Sequence, residues 1–425
     1  MVGHPKNITT TKMRLLYNFA IWLYTSSICV AAIFNSKAAL WVTGRRGLWK
    51  QLQSKISQDD PWIWMHCASL GEFEQGRPLL EKIKNEAPHL KILLTFFSPS
   101  GFQIRKNYPG ADLVTYLPAD YSSNARKFLD ITKPCLAIFV KYEFWFNYLN
   151  ELHCRKIPTF LVSGIFRPQQ HFFKFYGSFF RKGLQAFSHF YLQNEASVYL
   201  LQQIGFQNVT LSGDTRLDRV IHQAEHFEEL PEVKLFAAGH KVIAGGSVWP
   251  ADLNIILPFI EKHTDLKFIL VPHEPEHRLV LRLKKQIGTG AILWSELSDV
   301  KPENYRVLII DTIGLLSRLY YYCHVAYIGG GFGAGIHNIL EAAVYGKPVV
   351  IGPNYHKFTE AVDLIKSGGA LSIKTQGEFE QAIGYFLKPQ NQEEAKNICR
   401  QYVSRKSGAT SIIVTDLLNT LSIRR

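Results

Sequence analysis

The chain has 425 residues, a length that favours two domains over one core. Its 48 Lys and Arg against 35 Asp and Glu leave a formal charge of +13, which suits an anionic partner: nucleic acid, lipid headgroups or a phosphorylated substrate. The six cysteines, Cys29, Cys67, Cys135, Cys154, Cys323 and Cys399, show neither C-x-x-C nor a paired Cys/His spacing, which excludes a zinc-ribbon reading and points to reduced thiols and a cytosolic catalytic portion.

The first predicted element is LLYNFAIWLYTSSICVAAIF, Leu15 to Phe34, which carries no charge and is about long enough to cross the hydrocarbon core of a bilayer. Lys12 and Arg14 precede it; Lys37, Arg45 and Arg46 follow. No small-x-small cleavage site accompanies it, so it does not read as a signal peptide. Asn18, Thr25, Ser26 and Ser27 weaken it as a span, which leaves a membrane anchor and a helix lying in the interface both open over residues 1–36, with a buried core helix as the plainer alternative.

Short apolar runs then alternate with amphipathic stretches: WIWMHCA (62–68), KILLTFFS (91–98), DLVTYLP (112–118), CLAIFVKYE (135–143), TFLVSGIF (159–166), HFYLQNE (189–195) and VTLSGD (209–214). This is the pattern of parallel strands with crossover helices. The polar interval HQAEHFEELPEVK (222–234) interrupts it and reads as a linker. The alternation resumes with KVIAGGS (241–247), KFILVPHE (267–274), AILWSE (291–296), RVLIID (306–311), HVAYIGGG (324–331) and KPVVIGP (347–353). From about Glu378 the pattern is helical. The expectation is an α/β chain of two Rossmann-like doubly wound domains, 37–225 and 240–425, with the last helices free to pack back on the first.

Three sites carry candidate chemistry. Gly329-x-Gly331-x-x-Ala334 formally fits a dinucleotide fingerprint, but the next strand ends VVIGPNYH with no carboxylate to hold a ribose. The loop instead offers glycines and a helix start expected near Asn338, whose free N–H groups favour a phosphate, with Glu341 one turn in as a handle on sugar hydroxyls; a tight strand–helix turn needs the same residues. HCASLGEFEQGRPLL (66–80) places Glu72 at a strand's carboxyl edge, where open α/β sheets bind ligands and where a carboxylate can serve as a general base. IFVKYEFWFN (138–147) places Glu143 beside Phe144 and Trp145, surroundings that perturb a pKa. Both carboxylates also fit helix starts. Neither D-x-D nor H-E-x-x-H occurs, so a nucleotide-sugar enzyme would rely on helix dipoles and basic side chains rather than a metal.

In order and spacing, HCASLGE, YLPAD (116–120), KYEFWFN, LQNEAS (192–197), SGDTRLD (212–218), VPHEPEH (271–277), IDTIG (310–314) and GIHNILEAAVYGKPVVIGP resemble the 3-deoxy-D-manno-octulosonic acid (Kdo) transferases of lipid A synthesis, over nearly the whole chain. These are membrane-associated glycosyltransferases of GT-B architecture. The resemblance implies inverting, metal-independent transfer of Kdo from CMP-Kdo to a tetraacyl disaccharide-phosphate lipid A precursor. It also implies a place on the bacterial inner membrane with the catalytic domains on the cytoplasmic face.

Residue by residue it implies Glu72 as general base, with Glu143 and Arg216 (usually Lys) stabilising the transition state. Pro272, His273, Ile313, Gly314, Leu315, Asn338, Ile339, Leu340 and Glu341 would hold CMP. His273 stands where an Arg is usual and Leu315 where a Glu is usual; Ile165 replaces an Arg often found after the fifth strand, with Arg167 two places on. FRPQQHFFKFYGSFFRKG (166–183) fits a phosphorylated, acylated acceptor, or a core helix with a basic solvated side. No cofactor beyond the donor is implied. The alternatives are another GT-B enzyme of UDP-sugars, transferase or epimerase, and a catalytically silent nucleotide-binding protein at the membrane; no nucleic-acid module accompanies the charge.

Overall fold

The computed structural model describes residues 6–422. It divides into two units, residues 1–218 with 407–425 and residues 219–406. In the first, seven parallel strands form in chain order: β1 (Trp62–Cys67), β2 (Lys91–Phe96), β3 (Leu113–Tyr116), β4 (Leu136–Val140), β5 (Thr159–Gly164), β6 (His189–Leu192) and β7 (Val209–Leu211), arranged β3-β2-β1-β4-β5-β6-β7. The inner strands are buried on both faces, which is why they read as apolar runs rather than alternations. Period-2 geometry still sorts their side chains. Trp62 and Trp64 enter one core with Phe139, Tyr148 and Phe190. Ile63, Met65 and Cys67 enter the other, which the last helix, Ala409–Ser422, completes with Ile413, Val414 and Leu417.

The second unit repeats the plan with β8 (Val242–Val248), β9 (Lys267–Pro272), β10 (Ala291–Leu293), β11 (Val307–Ile309), β12 (Val325–Ile328), β13 (Val349–Ile351) and β14 (Ala370–Ser372), ordered β10-β11-β9-β8-β12-β13-β14 and parallel throughout. In each sheet the order reverses beside the first strand, between β1 and β4 and between β8 and β12. That reversal opens the crevice where such sheets bind ligands. The segment expected as a linker is instead largely helical, Thr215–Glu225 and Pro231–Ala237, and the chain passes between units within the first of these helices, at Asp218 and Arg219. The strand β14 has no counterpart among the expected ones: Ala370, Leu371 and Ser372 include no β-branched or aromatic residue and follow two glycines.

The apolar N-terminal segment forms α1 (Lys6–Ala31), followed after a sharp bend by α2 (Ser36–Thr43). No single helix among the described residues is long and apolar enough to cross a membrane; Lys12–Ala31 and Ser36–Thr43, bent by 117°, qualify only as a pair by length and composition. One side of α1 is fastened to the first unit: Tyr17 donates to Asp120 (2.5 Å) and Asn147 donates to Asn18 (2.9 Å). The other side leaves Leu15, Leu16, Phe19, Trp22, Leu23, Val30, Ile33 and Phe34 exposed. A wholly buried core helix is therefore excluded. Arg45, which flanks the apolar segment in sequence, packs on Trp41, 3.8 Å from the ring centroid, donating to the carbonyls of Trp41, Phe97 and Leu117. Burial pulls its pKa down to about 9.

Candidate functional site

Glu72 and Glu143 arrive in the same crevice because they follow the two strands at the switch point. After β1 the chain turns at Ser69, which caps the helix Leu70–Glu86; the Ser69 N–H donates to Glu72 Oε2 (3.0 Å), so the carboxylate closes a capping box while lying at the strand mouth. After β4, Lys141 adopts the left-handed conformation (φ 70°), and this tight reversal brings Glu143 back over the sheet. The helix-start reading and the site reading of Glu72 are thus both satisfied by one geometry.

The two carboxyls interact. Burial first, then the charge of Glu143, push Glu72 up to about 8. Burial likewise pushes Glu143 up to about 7, opposed by hydrogen bonds from Trp145 and Glu72. Around Glu143 the expected Trp145 is joined by two residues the sequence pattern hid, His66 and Thr95. Trp145 Nε1–H donates to Glu143 Oε2 (2.5 Å), and His66 Nε2 lies 3.3 Å from the same oxygen. His66 is fully buried at the end of β1, its Nδ1 2.9 Å from the hydroxyl of Thr95 on β2. The signal for His66 was its place in β1: a period of two puts it on the Trp64 side, pointing at the residues after β4.

Arg216 sits in the first turn of the helix Thr215–Glu225, gripped by Asp214 through Nε (2.9 Å) and Nη2 (2.6 Å). Thr215 fastens this turn to the carbonyl of Gln75 (2.6 Å), one turn beyond Glu72. Tyr142 links the ensemble, feeling the charges of Arg167, Glu72 and Arg216 and accepting a hydrogen bond from Arg167 (3.1 Å). Glu72, Glu143 and Arg216 therefore share one neighbourhood of the first unit. In the 166–183 stretch, Phe172 is buried against Phe144 and Phe166, whereas Phe175 is fully exposed. The segment is part core and part surface.

The other named residues lie in the second unit at the carboxyl ends of its central strands: Pro272 and His273 at β9, Ile313 to Leu315 after the neighbouring β11, and Asn338 to Glu341 after β12, on the other side of β8. His273 stacks on Trp249 (centroids 4.3 Å) and meets His337 (4.4 Å), whose Nε2 accepts from Trp249 Nε1 (3.1 Å). Burial, then the neighbouring imidazole of His273, push His337 down to about 4. Ile339 and Leu340 have fully buried side chains; Ile313 is exposed, and Gly314 (φ 99°) turns the chain beside it.

Two expectations about the glycine loop need correction. The helix expected from Asn338 is a single turn, Leu340–Ala343, cut off by the left-handed Gly346 and Pro348, so its dipole is slight. Asn338 precedes it, accepting from Leu340 N–H (3.3 Å) and donating to Glu341 (3.1 Å). The glycines answer to the protein's own backbone: a Cβ on Gly329 would stand 2.3 Å from the Ser247 carbonyl, and one on Gly331 2.7 Å from Gly352. Asp252, fully buried, fixes the loop by accepting from the N–H groups of Trp249 (2.7 Å) and Gly330 (2.9 Å) and from the Tyr327 hydroxyl (2.6 Å).

Residues 42–219 match the family model described as 3-deoxy-D-manno-octulosonic-acid transferase (kdotransferase). The 3-deoxy-D-manno-octulosonic acid transferase of Rickettsia felis is 28% identical over 344 residues, covering 79% of this chain and 73% of its own. That of Aquifex aeolicus is 27% identical over 325 residues, 74% of this chain and 83% of its own. In fold, the chain resembles UDP-GlcNAc 2-epimerase from Neisseria meningitidis (TM-score 0.59, 18% identity, 84% of this chain and 100% of that one). It also resembles MurG from Acinetobacter baumannii (TM-score 0.54, 12% identity, 85% and 99%). Two Rossmann-like units, each with its crevice at the switch point, give the chain the GT-B fold of these structures, and the relatives it is similar to are glycosyltransferases. In sequence the chain is similar to the Kdo transferases, over residues 42–219 to their family model and over about three quarters of its length to the relatives named.

Proposed function

We propose that the protein transfers Kdo from CMP-Kdo to a tetraacyl disaccharide-phosphate precursor of lipid A in lipopolysaccharide core synthesis. The transfer is metal-independent and inverts the anomeric carbon. The observation that carries this reading is the buried Glu72–Glu143 pair at the switch point of the first sheet, in a chain whose relatives bear the name of that activity. Glu72 takes the proton from the acceptor hydroxyl as its oxygen bonds to the anomeric carbon; the bond from that carbon to the phosphate oxygen breaks, and its electron pair leaves with CMP. Glu143 stands against the positive charge that develops on the sugar, and Arg216 against the negative charge of the leaving phosphate. Raised pKa values suit this division, since a carboxylate held near neutrality is a better base than a solvated one.

On the donor side, Pro272, His273, Ile313, Gly314, Leu315 and Asn338 to Glu341 hold CMP, Ile339 and Leu340 through backbone and Glu341 through the ribose hydroxyls. His273 stands on this side where an obligate cation is usual, stacked between Trp249 and His337. Arg167 and the exposed end of the 166–183 stretch meet the phosphorylated, acylated acceptor. The apolar side of α1 seats the enzyme on the cytoplasmic face of the inner membrane, where that acceptor resides.

Purified protein given CMP-Kdo generated in situ and the tetraacyl precursor yields products that advance by one Kdo mass per transfer. Glu72→Gln lowers the rate by about 100-fold or more while retaining CMP binding. A folded wild type that is stabilised by CMP yet transfers nothing refutes the acceptor assignment; stabilisation by UDP and not CMP moves the chain to the UDP-sugar enzymes.

A further inference from the structure

The elbow between α1 and α2 is built from small residues. Asn35 starts α2, its side chain accepting from the Ala38 N–H (3.0 Å), and the two helices are bent by 117°. Ala31 and Ala38 are too short to fill the angle. A groove of about 360 Å³ remains, walled by Tyr24 and Ile28 of α1, Trp41 of α2, and Phe97 and Pro99 from the turn after β2. Thr25 shares a hydrogen bond with Tyr121 one turn before Ile28, which fixes the α1 wall to the first unit. At the elbow itself Ile33 and Phe34 are exposed, continuing the apolar side of α1. The inner wall is Phe97, whose ring meets Trp41 (centroids 5.6 Å) and Trp145 (4.6 Å). Trp145 in turn donates to Glu143 Oε2 (2.5 Å), so apolar packing runs without a break from the groove to the carboxylate pair.

Two groups in the lining indicate the chemistry of a ligand. Trp41 is only 8% exposed, yet its Nε1–H finds no hydrogen-bond partner among the described residues. An indole nitrogen can only donate, and a buried donor left unpaired is costly. Among the described residues lining the groove, Lys37 alone is charged. Aromatic and aliphatic walls with one unspent donor and one cation complement an acyl group: methylenes against the rings, a carbonyl oxygen for the N–H, and a phosphate on the same molecule for Lys37. We infer that the elbow groove seats one acyl chain of the lipid acceptor, with Trp41 donating to its carbonyl, so that acylation is read beside the transfer site. A bilayer phospholipid offers similar chains. The acceptor is the occupant because the inner wall of the groove also supports Trp145 and Glu143, where the acceptor alone has to arrive. The inference rests on the reading that the acceptor is an acylated lipid A precursor.

The test fills the groove and, separately, labels it. Ala31→Leu and Ala38→Leu occupy the space, and Trp41→Phe keeps a ring while removing the N–H. Each protein is first checked by thermal melting and CMP binding. With the tetraacyl precursor in detergent micelles, KM for the acceptor rises about tenfold in either leucine variant, the worth of about two methylenes kept out of the groove. It rises about three- to tenfold in Trp41→Phe, the worth of one hydrogen bond. In all three, kcat and KM for CMP-Kdo stay near wild type. A precursor carrying a diazirine at an acyl terminus, irradiated with wild type in the absence of donor, labels the peptides holding Ile28, Trp41 or Phe97. Phosphatidylglycerol carrying the same chain labels them weakly and is displaced by unlabelled precursor. The proposal is overturned by folded leucine variants with the wild-type acceptor KM, by label elsewhere, or by a phosphatidylglycerol label that the precursor does not displace, which would make the groove a seat for bilayer lipid. If neither leucine variant folds, the label decides. Labelling of the groove in a wild type that transfers no Kdo keeps the groove and sinks the transfer reading; transfer with the label elsewhere does the reverse.

Discussion

Replacing Glu143 by Gln isolates how much of the perturbation of Glu72 is electrostatic. Two unit charges about 5 Å apart at an effective dielectric near 20 repel by about 3 kcal/mol, worth about 2 pH units. Burial is the larger cause of the shift in Glu72 and remains when the charge of Glu143 is gone. With Glu72 as the proposed base, which must be ionised to act, wild-type activity is lost as pH falls through its pKa, so kcat/KM climbs on a limb centred near 8. Removing a like charge stabilises the ionised form, so in Glu143→Gln the limb moves to lower pH by about 1–2 units. The assay is Kdo transfer from pH 6 to 10, each profile normalised to its own maximum because the variant also loses rate. A limb that stays at the wild-type position would mean that Glu143 bears no charge toward Glu72, and the paired-carboxylate site would be wrong.

Other perturbations reach the supporting structure. Asp252→Ala strands three donors in the second core and costs about 3 kcal/mol, visible as a lower melting temperature and at least about tenfold weaker CMP binding. Gly331→Ala drives a methyl to 2.7 Å from Gly352 and destabilises the second unit by about 2 kcal/mol or more in a thermal melt, whereas Gly377→Ala, with no atom near, is neutral or mildly stabilising. Tyr17→Phe removes a hydrogen bond to a buried carboxylate worth about 1.5–3 kcal/mol, so amide exchange in α1 accelerates before the sheet is affected. Paired Phe19→Glu and Trp22→Glu, both on the exposed side of α1, weaken co-flotation with anionic vesicles without lowering the melting temperature; unaltered flotation refutes the membrane seat.

What the sequence disclosed follows from physical period. Doubly buried strands form dense apolar runs, and thirteen of the fourteen were legible for that reason, β14 escaping because Ala370, Leu371 and Ser372 include no β-branched or aromatic residue and follow two glycines. Glu72 and Glu143 stood out because a carboxylate next to an apolar strand is a local anomaly. His66, Thr95 and Asp252 stood out for nothing: each is an ordinary polar residue in or beside a strand, and its role appears only when a residue about thirty or eighty positions away arrives to bond it. The short helix at Leu340 was overestimated because a helical pattern carries no record of where the chain must turn back. The glycines of the 329–335 loop fitted both a ligand loop and a tight turn, and their crowding against Ser247 and Gly352 is a tertiary fact that no local pattern carries.

Strain and buried charge concentrate at the same sheet ends. Lys141 (φ 70°), Ser163 (φ 52°) and Ser247 (φ 50°) hold the left-handed conformation at or just beyond the carboxyl ends of β4, β5 and β8, each at a cost of about 1 kcal/mol or more. Glu72 and Glu143 add to this. Their folded pKa values lie above the unfolded carboxylate value, so the folded state binds more protons and stability falls as pH rises from about 4.5 to about 8. The penalty is greatest in the pH range where Glu72, the proposed base, is ionised. A neutral amide at Glu72 therefore makes the protein more stable, on the order of 2 kcal/mol at pH 9, as it makes it inactive. A carboxylate with only a structural, helix-capping role would do the reverse, since removing it would cost stability at every pH above its ordinary pKa.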